Sequence, residues 1–185
     1  MRSDGRRAVV GGTRARRGRL ALGGAATLLA LGACGVVSRP QSHPSGRQGT
    51  LLYTVGRLSF EAPAAWDASG DARRVLLVGP GTEGRLDARQ VDRKFADVAQ
   101  CLADAEAALQ RGGERLTGVR RHPSTLAGRK AVFQEADHDR WHGWAWAVCD
   151  HGEQYRVFLT APAPVGDATI RAMRLVSSSA TLGAR

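Results

Sequence analysis

Along most of this chain apolar residues recur at every second position, and only two stretches change to the longer period of a helix. Leu51, Tyr53 and Val55 form the first alternating run, the pattern of a half-buried strand. Gly56 interrupts it, and Leu58-Ser59-Phe60-Glu61 resumes it before Pro63-Ala64-Ala65-Trp66 turns the chain and plants a tryptophan. Val75-Leu76-Leu77-Val78 is a continuous apolar run closed by Gly79-Pro80-Gly81, which predicts a buried strand. Leu86, Ala88 and Gln90 predict another.

The period then lengthens over 93–110. Phe95, Val98, Ala99, Leu102, Ala105 and Leu109 make one apolar stripe, with Asp92 placed to cap the start and Arg111-Gly112-Gly113 to end it. Strands are expected at 116–121, ahead of His122-Pro123, and at 127–136, running into the polar turn Asp137-His138-Asp139. Two more, at 141–149 and 154–160, are joined by Asp150-His151-Gly152, the chemistry of a hairpin turn. Pro162 and Pro164 end the sheet, and Asp167 opens a last helix carrying Ile170 and Met173, with Leu175 off its apolar side.

Strand 141–149 has two unequal faces. His142, Trp144, Trp146 and Val148 point one way, and Gly143, Ala145, Ala147 and Cys149 point the other. The small face admits a helix at close range. If that helix is 93–110, Cys101 meets Cys149, and a disulfide joins helix to sheet. The alternative is two separately buried thiols, since free cysteine packs as a small hydrophobe. Trp144 and Trp146 are either core or, if their face lies open, a binding face for a partner, flanked by Arg156.

The N-terminal third follows a different logic. Arg2, Arg6, Arg7, Arg14, Arg16, Arg17 and Arg19 face one acid, Asp4, and an apolar run from Leu20 to Ala33 follows. That run is 14 residues, whereas a membrane-spanning helix takes about 20. Basic head, short apolar run and Leu31-Gly32-Ala33-Cys34 resemble the precursor of a bacterial lipoprotein. The resemblance implies a signal peptide over 1–33, cleavage between Ala33 and Cys34, and a diacylglyceryl group on Cys34. Two acyl chains suffice for stable anchoring where one does not. Residues 34–49, rich in Pro, Ser and Gly, are expected to be a lipid-anchored flexible tether, and 50–185 a single domain. Arg16-Arg17-Gly18-Arg19-Leu20 hints at twin-arginine export, but Arg19 stands where that motif prefers an apolar residue; the general secretory route is favoured, and the route stays undecided. The expected location is the extracytoplasmic face of the cell membrane, where a disulfide persists.

Removing the signal segment changes the charge. The whole chain has 27 basic and 17 acidic residues, net +10; without seven arginines and one aspartate, 20 face 16, and +4 is left. The remaining cations are interleaved with acids and form no array with aromatics, which argues against nucleic acid as a partner. His138 and His142, on one strand, would stand about 13 Å apart, too far to share a metal ion. Ser177-Ser178-Ser179 lacks the glycines of a nucleophile elbow. Gly79 to Gly84 lacks the lysine of a phosphate loop. Glu106, Glu114, Glu135, Asp150 and Glu153 form no recognisable acid pair, and Cys101 has no evident histidine partner. No catalytic residue, cofactor or metal is expected.

The order of elements resembles the Mog1/PsbP-like α/β/α sandwich of several actinobacterial lipoproteins. The resemblance rests on the early hairpin closing on Leu58-Ser59-Phe60-Glu61-Ala62-Pro63-Ala64-Ala65-Trp66, the strand at 75–78 and the helix after Arg93. Leu126-Ala127-Gly128-Arg129-Lys130-Ala131, the strand pair through Trp146 and Val157, and a short helix ending in serines complete it. It implies an α+β fold, an antiparallel sheet with helices on both faces. It also implies a non-catalytic binding or assembly module of the envelope, with an envelope protein or wall polymer as partner beside the membrane lipid at Cys34. The alternative is a cell-wall hydrolase or small-ligand-binding enzyme whose site forms only in three dimensions.

Overall fold

A computed structural model of the chain describes residues 40–112 and 115–184. The signal segment, Ala33 and Cys34 lie outside the described residues. Two antiparallel sheets and two helices follow one another in the order β1 (Ser42–Pro44), β2 (Thr50–Val55), β3 (Leu58–Pro63), β4 (Asp67–Asp71), β5 (Arg74–Val78), β6 (Arg85–Gln90), α1 (Val98–Gly112), β7 (Thr117–Leu126), β8 (Arg129–His138), β9 (Trp141–Asp150), β10 (Glu153–Pro162), α2 (Asp167–Ser179) and β11 (Thr181–Leu182). The α+β class expected from the sequence is the class observed. The sheets number two: a small one, β1-β2-β3-β11, and a large one, β4-β5-β6-β10-β9-β8-β7.

Alternation explains the layers. On β9 and β10, Trp144, Trp146, Val148, Tyr155, Val157 and Leu159 face the small sheet, meeting Tyr53, Val55, Leu58 and Phe60 in the main core. Ala172 and Val176 of α2 close the same core. The opposite face of β8 and β9 presents Val132, Ala145 and Ala147 to Ala105 and Leu109 of α1. Helices thus lie on both faces of the large sheet, and the small sheet shares one face with α2.

Several expectations need correction. Residues 42–44, assigned to the flexible tether, pair with β2 (Ser42 opposite Tyr53, Pro44 opposite Leu51), and Pro40 is buried. The ordered body therefore begins well before residue 50, because β2 offers a free edge to the Pro-containing segment. The first helix starts at Val98 and not near Arg93. Asp97 caps it, its Oδ1 accepting from the Gln100 amide at 2.8 Å, while Gln100 Oε1 accepts from the Ala96 amide. Asp92 is paired with Arg73 instead. The buried stripe is Cys101, Ala105 and Leu109, four residues apart, leaving Val98 exposed. Strand β7 runs straight through His122-Pro123, since it is an edge strand where proline's missing N–H costs no ladder bond. On α2 the buried positions are Thr169, Ala172 and Val176, with Ile170 and Met173 only flanking.

Two glycines are required by close approach. Gly152 has φ of +74° in the β9–β10 turn, and a Cβ there would meet the Phe95 carbonyl at 2.6 Å. At Gly79 a Cβ would lie 2.8 Å from the indole of Trp66, whose Nε1 donates to Glu83 Oε2 at 2.9 Å. The same Glu83 offers its carbonyl to Thr169 Oγ1, which ties loop 79–84 to α2.

Candidate functional site

Small side chains make space that the helix does not fill. Helix α1 is pinned near its start by the disulfide from Cys101 to Cys149, with the two Cα atoms 6.1 Å apart. It crosses the small face of β9 through Ala105 and Leu109 and stops at Gly112. Beyond that end a cavity of about 350 Å³ opens on the sheet, within the range of small-ligand pockets. Its floor is built from Ala136, Gly143, Ala145 and Phe158, three adjacent strands contributing one or two residues each. Ala108, Leu109 and Leu116 form the helix-side wall. The Trp141 indole, 46 % exposed, stands at the mouth with His138.

The charge at this mouth is positive. Arg89 on β6 and Arg156 on β10 are direct partners across the ladder, and both line the cavity. Arg89 lies over the Phe158 ring at 5.4 Å. Arg156 is held from behind: Nε donates to Gln154 Oε1 at 2.5 Å and Nη2 to Asp104 Oδ2 at 3.2 Å. Gln154 is itself fully buried, its Nε2 donating to the Cys101 carbonyl at 2.9 Å. Burial pushes the Arg156 guanidinium below the usual arginine range; Asp104 opposes this, and the like charges of Arg89 and Arg111 add to it. Among the described residues no carboxylate is paired with Arg89 or Arg111. Gln134, buried in the floor, accepts from Arg121 Nε and Nη2 at 3.0 and 2.6 Å.

Of the residues singled out by the sequence, His138, His142 and Arg156 line this cavity, and the others fall elsewhere. Trp144 and Trp146 are 6 % and 5 % exposed, so the expected binding face is closed. The small sheet and α2 cover it, and Trp146 packs on Phe133 with ring centroids 5.1 Å apart. Cys101 is bonded to Cys149 and carries no thiol. His138 and His142 sit on opposite faces of the hairpin. His142 Nδ1 lies 2.6 Å from Asp137 Oδ1 and Nε2 lies 3.1 Å from Glu135 Oε1. Asp150 is buried between Arg57 and Arg129, and Glu153 is held by Lys94 and Tyr155. Ser179, the last of the three serines, accepts from the Glu61 amide at 2.8 Å and docks α2 on β3. Among the described residues no group of three or more His, Cys, Asp or Glu side chains is arranged to hold a metal ion, and no helix is long and apolar enough to cross a membrane.

Sequence reasoning missed Arg89, Phe158 and the pocket itself. The signal was present in the parity of strand 154–160, which sets Arg156, Phe158 and Thr160 on the small face of β9. What it could not reveal was where α1 ends over that face.

Fold and site together define a class: an antiparallel α+β body with an open, arginine-rimmed apolar pocket. No protein-family model matches the sequence, and no curated protein sequence matches it. Among solved structures, a Bacteroides thetaiotaomicron protein superposes with a TM-score of 0.55 at 10% identity, covering 75% of this chain and 50% of its own. This chain thus spans half the length of that protein, and the likeness is one of fold alone. The cyanobacterial PsbP (CyanoP) of Synechocystis is similar at a TM-score of 0.49 and 13% identity, over 84% of this chain and 99% of that one. LpqN, involved in cell envelope biogenesis of Mycobacterium tuberculosis, is similar at 0.41 and 16%, over 78% and 91%.

Proposed function

We propose that the protein is an envelope lipoprotein whose body binds a small ligand in the pocket beside the end of α1, and does not transform it. In this reading Cys34, freed by cleavage after Ala33, carries the lipid and keeps the body at the extracytoplasmic face. The observation that supports it is the make-up of the pocket. Its floor is apolar, and the polar groups that reach it are two guanidiniums, a buried amide already engaged with Arg121, the Thr160 hydroxyl, His142 held by Asp137 and Glu135, and the exposed His138 and Trp141. Such a lining captures and orients; among the described residues the Thr160 hydroxyl is hydrogen-bonded to no histidine or carboxylate that would activate it.

Filling the pocket tests the reading. At Gly143 a Cβ would sit 3.4 Å from Thr160 Cγ2, ordinary contact, and anything larger extends over the floor. Gly143→Val should therefore leave the melting temperature within a few degrees and take up part of the floor. A neutral apolar fluorophore such as N-phenylnaphthylamine should brighten on the full-length chain and markedly less on Gly143→Val. Equal emission from both would end the proposal.

A further inference from the structure

Arg89 and Arg156 face each other across the β6–β10 ladder with no acid between them. Like charges directly opposed on a sheet destabilise it. The neighbouring cation in the same row, Arg74, does not share the problem, because Asp87 takes two of its N–H groups at 3.0 and 2.6 Å. For Arg156 the surroundings supply only half of what a guanidinium needs. Gln154 and Asp104 engage Nε and Nη2, Asp104 is shared with Arg93, and no described residue holds Nη1. Arg111, in the last turn of α1, adds a third positive charge that acts on Arg156. The unbalanced charge stands at the edge of an apolar cavity, with Phe158 beneath Arg89.

From this arrangement, and resting on the pocket reading above, we infer that the ligand is a single-chain amphiphile with a carboxylate head. Its hydrocarbon lies along Ala136, Gly143, Ala145 and Phe158, and its carboxylate receives N–H groups from Arg156 and Arg89. The volume of about 350 Å³ suits one chain. The head supplies the negative charge that the opposed arginines lack. A charge-assisted hydrogen bond from a fixed guanidinium is among the stronger polar contacts available.

Calorimetric titration of the full-length chain with acetate, and with laurate and dodecyl maltoside below their micelle concentrations, separates head from chain. Laurate should bind at least tenfold more tightly than dodecyl maltoside, and acetate should give no heat. Arg156→Gln should weaken laurate about tenfold and leave dodecyl maltoside unchanged. Arg89→Gln should do the same without touching the Gln154–Asp104 contacts, which covers the case of a misfolded Arg156 variant. Equal affinity for the two dodecyl compounds, unaltered by either substitution, overturns the carboxylate head and leaves the pocket reading standing. Absence of binding by both dodecyl compounds, with no difference between the parent chain and Gly143→Val, overturns the two together.

Discussion

Tyr155 is fully buried, yet its hydroxyl is satisfied: it donates to Glu153 Oε2 at 2.5 Å and accepts from the Arg57 amide at 3.4 Å. Burial, reinforced by the Glu153 carboxylate, pushes the phenol up to about 12. Burial also raises Tyr53, the other tyrosine of the chain. An unfolded tyrosine ionises near 10, so between about pH 10 and 12 the unfolded chain releases protons that the folded chain retains, and stability falls as pH rises through that window. Phenolate absorbance should therefore lag in the folded protein behind the urea-unfolded chain; superimposable curves would contradict the burial. Glu153 has the opposite sign. Its hydrogen bonds from Lys94 and then Tyr155 lower its titration, and the stability it contributes is present above the ordinary carboxylate range and lost as pH falls. At this scale the sequence was legible in part. Parity separated Trp144 and Trp146 from Ala145 and Ala147 correctly, because a pleat leaves no choice of side. It could not say which side would be covered, since that depends on β2 and β3, some eighty residues earlier.

The disulfide is where helix and sheet become one unit. The helix itself is short and only moderately amphipathic, and on its own would be marginal in water. Closing a loop of 48 residues contributes about 4 kcal/mol in the chain-entropy picture. Cys149→Ser, or thorough reduction of the parent, should lower the melting temperature by roughly 10 °C. A melting curve unchanged by reductant would show that the bond is not holding the helix. The expected pairing followed from small residues opposite a helical stripe, a pattern local enough to read. Strand β4 was not legible for the converse reason. Asp67-Ala68-Ser69-Gly70-Asp71 has no apolar alternation, and it is a strand only because β5 offers it an edge. The N-terminus of α1 was displaced for a related reason. Phe95 fits the helical stripe by spacing, but it is buried in a loop whose backbone bonds to Gly152.

The body from residue 40 onward stacks α1, the large sheet, and a third layer of small sheet plus α2. The layered α+β plan could be read from the order of elements. The division into two sheets could not, because nothing in the 50–63 hairpin distinguishes a strand joining the large sheet from one lying across it. The proposed anchor belongs to this scale. Cys34→Ser should move the protein from the membrane fraction to the soluble fraction, and the parent extracted from membranes should carry the mass of a diacylglyceryl group. A parent chain with no acyl mass would remove the anchor from the proposal.

The pairing of Ser42–Pro44 with β2 has a consequence for reach. With Pro40 already buried, five positions lie between the proposed acylation site, Cys34, and the first described residue, and five residues span at most about 20 Å. A lipid at Cys34 would hold the protein on a leash too short to patrol the wall. It would swivel over one small patch of bilayer instead. Under such confinement the pocket would meet molecules of the same leaflet far more often than solutes of the wall, although drawing a chain out of the bilayer still takes about 0.8 kcal/mol per CH₂.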